Sequence, residues 1–167
     1  NMDSTNSLAG QLLVAMPGMT DPNFKRTVTY ICEHSENGAL GLQINQPMDM
    51  AISEVLEQLE MSPTKGNSLE QPVLRGGPVQ IERGFVLHEA ASEWDSTTEV
   101  GHSIFVTTSS DILADVASGK GPDKLLMALG YSGWDAGQLE AEILQNAWLT
   151  VPASADIVFN TPFEQRW

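Results

Sequence analysis

Apolar residues along this chain recur with two different periods, and their succession predicts the order of elements. The first run, "GQLLVAMPG", is short and stops at Pro17-Gly18, which predicts a strand leaving into a turn. "TDPNFKR" is a polar connection. In "TVTYICEH", Val28, Tyr30 and Cys32 alternate with Thr27, Thr29 and Ile31, the period of a second strand. "GALGLQIN" follows, with Leu40, Leu42 and Ile44 on one face. A two-residue Asn37-Gly38 loop would set that face opposite Ile31 and Glu33. A three-residue loop, Glu36-Asn37-Gly38 with Gly38 left-handed, pairs Cys32 with Leu42 and Tyr30 with Ile44, so the apolar faces coincide. His34 then lies opposite Leu40, near the hairpin's end, where water has access.

The period changes in "DMAISEVLEQLEM", where Ile52, Val55, Leu56 and Leu59 have helical spacing and Asp49 is available as N-cap. Two short apolar runs come next, Val73-Leu74 and Phe85 to Leu87, separated by the Arg75-Gly76-Gly77-Pro78 turn. "SIFVTTS" predicts another strand, after which Ser109 or Ser110 caps a helix that stops at Gly119. "KLLMALGYSGW" reads as a strand ending at Gly130. Asp135 and Gln138 have capping-box spacing, and Trp134 and Leu139 have that of a hydrophobic staple, so a helix starts at Ala136 with Leu139, Ile143, Leu144 and Ala147 as its buried stripe. "AWLTVPA" and "DIVFN" read as short strands. "TPFEQRW" has the opening of a further helix, inside which the chain stops. Residues 1–7, with Asn1 ahead of Met2, carry no apolar period and are set aside as a disordered segment. Residues 8–167 form one domain, since no repeat or linker divides them. Hairpins mixed with isolated helices predict an α+β (mixed α/β) layer fold and not a regular βαβ winding.

Composition and charge narrow the partners. A chain of 167 residues with 41% hydrophobic content can bury an ordinary core. Its net charge of −14 is unevenly carried, because Lys120 and Lys124 are the only Lys or Arg residues between Gly84 and Gln165. Nucleic acid and acidic lipid surfaces are both bound through Lys and Arg, so direct contact with either is disfavoured. One cysteine makes no internal disulfide, and no stretch reaches the roughly 18 apolar residues of a membrane span. The expected address is the cytoplasm.

Five stretches in order, "MPGMTDPNF", "YICEHSENGALGLQINQP", "PVLRGGPV", "GFVLHE" and "LGYSGWDAGQLEAEI", resemble the AlgH/YqgE family of bacterial proteins, from about Leu8 to Trp167. That resemblance implies a compact domain whose mixed sheet curls into a partly open barrel with helices packed outside. It implies a regulatory role in alginate production through the family name, and no agreed catalytic residue. With this surface charge, a regulator of the kind acts through a protein partner or a small anionic ligand and not by direct operator contact.

Several residues carry candidate chemistry. Cys32 and His34 point to one face of a strand, so a thiolate and an imidazole could meet there; a zinc site would need further ligands from His88, His102 and carboxylates, without paired spacing. The register above instead places Cys32 among Val28, Tyr30 and Leu42 as packing. His34 and His88 both close strands and could form an acid–base pair at one sheet edge, or be hydrogen-bonded structural residues. His102 has no evident partner. In Arg75-Gly76-Gly77, consecutive glycine amides can converge on an anion beside a forked donor, although Gly-Gly-Pro also simply turns a strand. Asn45 could present its amide to a ligand. No cofactor or resident metal is called for, and no nucleophile elbow or HExxH set occurs. The leading expectation is a non-enzymatic binding or regulatory protein. The alternative is an enzyme using His34 and His88 with Arg75 as anion clamp, or Cys32 as a reactive thiol. The oligomeric state is left open.

Overall fold

The structure, a computed structural model, describes residues 7–61, 67–89, 94–100, 104–122 and 124–160. Among these lie ten strands: β1 (Gln11–Ala15), β2 (Val28–Ser35), β3 (Gly38–Gln43), β4 (Pro47–Ala51), β5 (Pro72–Arg75), β6 (Val79–His88), β7 (Thr97–Glu99), β8 (Phe105–Thr107), β9 (Leu125–Asp135) and β10 (Trp148–Pro152). Three α-helices accompany them, α1 (Ile52–Gln58), α2 (Asp111–Ala117) and α3 (Gln138–Leu144). The strands form one strongly curled, half-barrel sheet in the order β10-β1-β2-β3-β9-β6-β8-β7, with β5 joined to β9 and β4 to β5. Its pairings are antiparallel apart from the parallel contact of β5 with β9. This is the expected α+β fold in a single domain.

Apolar alternation determines what the curl encloses. Val28 and Tyr30 of β2, Leu42 of β3, Phe85 and Leu87 of β6, and Leu126 and Ala128 of β9 share the inner cluster. On the outer face, Ile52 and Leu56 of α1 and Ile112 and Val116 of α2 cover Val73, Val86 and Met127. A third cluster joins Leu13, Ile31, Trp134, Leu139 and Trp148 beside α3.

Several local expectations need correction. The β2–β3 hairpin closes with Ser35 opposite Gly38, so its turn holds Glu36 and Asn37, and Tyr30 pairs with Leu42 and not with Ile44. The register shifts by one residue between Ile31 and Glu33, leaving Cys32 in a β-bulge and His34 opposite Ala39. The bulge keeps Tyr30 and Leu42 on the inner face while letting the turn shorten. Asp49 is a strand residue of β4; α1 begins after Ala51, whose N–H donates to Glu54 Oε2 at 2.7 Å.

β9 does not end at Gly130 but runs through it at φ +79° to Asp135. A Cβ there would lie 2.6 Å from Gly77 O, so the glycine lets the strand pass beneath the Gly76-Gly77 segment. α3 starts at Gln138, two residues later than expected, although Gln138 Oε1 accepts the Asp135 N–H at 3.0 Å as a capping box requires. Leu144 is 85% exposed. At 3.6 residues per turn it sits about 140° around the helix from Leu139, too far to share a stripe. Asp156–Asn160 is a π-helical turn and not a strand. The helix expected from Thr161 and the segment 1–6 lie outside the described residues.

Candidate functional site

The sequence-predicted candidates are dispersed. Cys32, 8% exposed, belongs to the inner cluster. Burial, and secondarily the charge of Glu33, push its thiol well above the ordinary range. His34 turns its ring elsewhere: Nδ1 accepts the Leu8 N–H at 2.8 Å and Nε2–H donates to Glu140 Oε2 at 3.0 Å, which fixes the tautomer. The ring pins residues before β1 to the end of β2. His88 is fully buried, stacked on Phe105, edge-on to Trp94, with Nε2 2.7 Å from Thr107 Oγ1.

His34 and His88 do not form a pair. His34 is level with Ala39, which faces Trp134 on β9, whereas His88 faces Leu125 near the other end of that strand. At about 3.3 Å per strand residue the two levels are on the order of 30 Å apart along β9. No substrate spans them as an acid and a base. His102 lies outside the described residues.

The Arg75-Gly76-Gly77 turn is a strand crossing. Gly76 N–H donates to Leu129 O at 2.8 Å, and Gly76 O accepts the Gln43 N–H at 2.8 Å. A Cβ on Gly77 would fall 2.2 Å from Tyr131 C, so these glycines serve close backbone contact with β9. The Gly76 amide is therefore committed, and Arg75 reaches Asn23 Oδ1 at 3.5 Å. Asn45 is likewise occupied: Oδ1 accepts the Val28 N–H and Nδ2 donates to Arg26 O, both at 2.9 Å.

A different arginine stands at a pocket. Between Val79, opposite Tyr131, and Gly84, opposite Leu129, β6 loses register with β9, and residues Gln80 to Arg83 swing out to solvent. Gln80 takes φ 45° in the process. The bulge returns Arg83 over the Phe85 ring, 5.0 Å from guanidinium carbon to centroid, with Tyr131 at 5.8 Å and the two rings edge-on. Among the described residues Arg83 has no ion-pair or hydrogen-bond partner, so the donors at the guanidinium edge are uncommitted.

Arg83 borders a pocket of about 400 Å³ lined by the apolar Leu40, Phe85, Val100 and Val106, with Cys32 at one wall. Glu33, Asp95, Ser96, Thr97, Thr98 and Thr108 complete the lining. Glu33 and Leu40 also border a second depression of about 490 Å³, reaching Tyr131, Trp134 and Asp135, so the two make one groove along the barrel mouth. An apolar cavity of about 350 Å³ lies on the outer face between α1 and α2, lined by Val55, Leu59, Leu113 and Met127 among others. Among the described residues no group of three His, Cys, Asp or Glu side chains could hold a metal ion. Nor, among them, is any helix long and apolar enough to cross a membrane.

Sequence reasoning overlooked Arg83. Its one signal was the set of polar residues Gln80, Glu82 and Arg83 inside an otherwise apolar strand, a pattern consistent with a bulge.

Comparison with known proteins places this arrangement. The profile of the family described as AlgH-like matches residues 12–167. The chain belongs to the AlgH-like family. A UPF0301 protein of Thioalkalivibrio sulfidiphilus is 52% identical over 166 residues, covering 99% of this chain and 89% of that protein. One from Xanthomonas campestris is 51% identical over 160 residues, covering 96% and 85%. Among solved structures, the AlgH protein from Pseudomonas aeruginosa superposes with a TM-score of 0.82 at 48% identity, covering 99% of this chain and 88% of that one. A Corynebacterium diphtheriae protein at 24% identity shares the fold, with a TM-score of 0.72 over 92% of this chain and 79% of its own. The AlgH-like fold thus presents here a curled sheet whose mouth carries an aromatic-backed arginine.

Proposed function

We propose that this AlgH-like protein is a regulatory binding protein that takes a small molecule bearing a carboxylate or phosphate in the groove at the barrel mouth. The observation that carries this reading is the Arg83 guanidinium, laid against Phe85 and Tyr131 with no hydrogen-bond or ion-pair partner among the described residues. Such an arginine is pre-organised: the rings restrict its rotamers, so less freedom is lost when the fork meets an oxyanion. The hydroxyls of Thr98 and Thr108 on the same rim can add hydrogen bonds. The ligand or a protein partner, and not operator DNA, then carries the regulatory signal, because a net charge of −14 repels phosphate backbones.

Thiol catalysis through Cys32 is the weaker reading. Burial and Glu33 favour the protonated thiol, and the nearest sequence histidine, His34, is engaged with Leu8 and Glu140. Amide NMR titration with acetate, citrate, inorganic phosphate and nucleotides tests the binding reading. Shifts at Arg83, Phe85 and Thr98 support it; their absence with every probe overturns it.

A further inference from the structure

The groove carries a second charge that the anion reading does not use. Glu33 follows the Cys32 bulge on β2 and borders the same pocket as Arg83. Its carboxylate has no hydrogen-bond or ion-pair partner among the described residues, and it does not pair with Arg83. Two opposite charges thus face one cavity without neutralising each other. Leu40, Phe85 and Val106 line the same pocket with apolar surface.

We infer that the groove selects a zwitterion, a small molecule whose carboxylate meets Arg83, whose ammonium meets Glu33, and whose short apolar body covers Phe85 and Leu40. The inference rests on the binding function proposed above and narrows its ligand class to α-amino acids and molecules that present the same two groups. Overall charge leads to the same class. A purely anionic ligand approaches a protein of net charge −14 against its field, whereas a zwitterion carries no net charge and is oriented by the local dipole from Arg83 to Glu33. Asp95 adds a second carboxylate to the lining of the same pocket. A pocket of about 400 Å³ accommodates an amino acid of ordinary size.

The test is a calorimetric and amide-NMR titration of the full chain with three probes that share the leucine side chain: L-leucine, N-acetyl-L-leucine, which keeps the carboxylate alone, and L-leucinamide, which keeps the ammonium alone. Leucine should bind about tenfold more tightly than either analogue, as a charge-assisted hydrogen bond at each end implies. Glu33→Gln should reduce leucine to the affinity of N-acetyl-leucine and leave that analogue no weaker. N-acetyl-leucine binding as tightly as leucine, with shifts at Arg83, would overturn the zwitterion inference and leave the anion reading standing. No shift at Arg83 with leucine, N-acetyl-leucine, acetate or phosphate would overturn both. Glu33 is exposed, so Glu33→Gln should preserve the native amide dispersion, which the same spectra verify.

Discussion

Replacing Gly77 with alanine separates the two readings of the Arg75-Gly76-Gly77 turn. If the glycines cradle a ligand, an added methyl group impairs binding and leaves the fold intact. In the structure the methyl carbon would instead sit 2.2 Å from Tyr131 C and O and 2.4 Å from Ser132 N, all backbone atoms of β9. None of these can swing away as a side-chain tip would, so β5 and β9 must part. The Gly76 N–H bond to Leu129 O then stretches, and the bond from Gln43 to Gly76 O with it. The cost should be about 3 kcal/mol, the upper end of the range for overpacking a rigid site. With a urea m value of about 2 kcal/mol/M, the unfolding midpoint should fall by about 1.5 M. Urea unfolding followed by tryptophan fluorescence measures it directly. Gly18→Ala is the control, since a Cβ there meets nothing within 4 Å. A Gly77→Ala midpoint indistinguishable from wild type would refute the strand-crossing account.

Three further outcomes follow from buried and semi-buried polar groups. Glu142 Oε1 accepts both indole N–H groups, from Trp134 at 3.0 Å and Trp148 at 2.9 Å, so Glu142→Ala should cost about 2–3 kcal/mol and change the tryptophan emission, read by chemical denaturation. Asp111 is held below the usual carboxylate range, first by the Ser109 hydroxyl and then by backbone N–H donors. A depressed folded-state pKa stabilises above the unfolded value of about 3.9 and is lost as pH falls through the folded one. Asp111→Asn should therefore lower Tm at pH 6 and lose that deficit progressively under strong acid, as thermal scans across pH can follow. Burial first, and then the charge of Glu33, raise the Cys32 thiol pKa, so Glu33→Gln should modestly accelerate iodoacetamide alkylation of folded protein at fixed pH, and an unchanged rate would contradict the contribution of Glu33.

The sheet was legible in the chain because alternation survives wherever one face is buried, as in Val28, Tyr30 and Leu42. The bulge at Cys32 was not, since either hairpin register aligns some apolar face and the extra residue costs nothing visible in the pattern. β9 was cut short at Gly130 because a glycine read alone signals an end, while its partners Gly76 and Gly77, distant in sequence, make it a crossing. Cys32 lies in the inner cluster as expected, but through the bulge and not through the expected pairing with Leu42. The groove was hidden for a different reason. Arg83, Glu33 and Thr98 come from three strands, and an uncommitted guanidinium is a property of neighbours that no local spacing encodes.

The central claim is that recognition belongs to Arg83 and not to the glycine-flanked Arg75. One paired titration measures it: the same carboxylate series added to Arg83→Gln and to Arg75→Gln, followed at the amides of Phe85 and Thr98. The account predicts that ligand-induced shifts vanish in Arg83→Gln and persist in Arg75→Gln. Shifts that survive in Arg83→Gln and vanish in Arg75→Gln would contradict it.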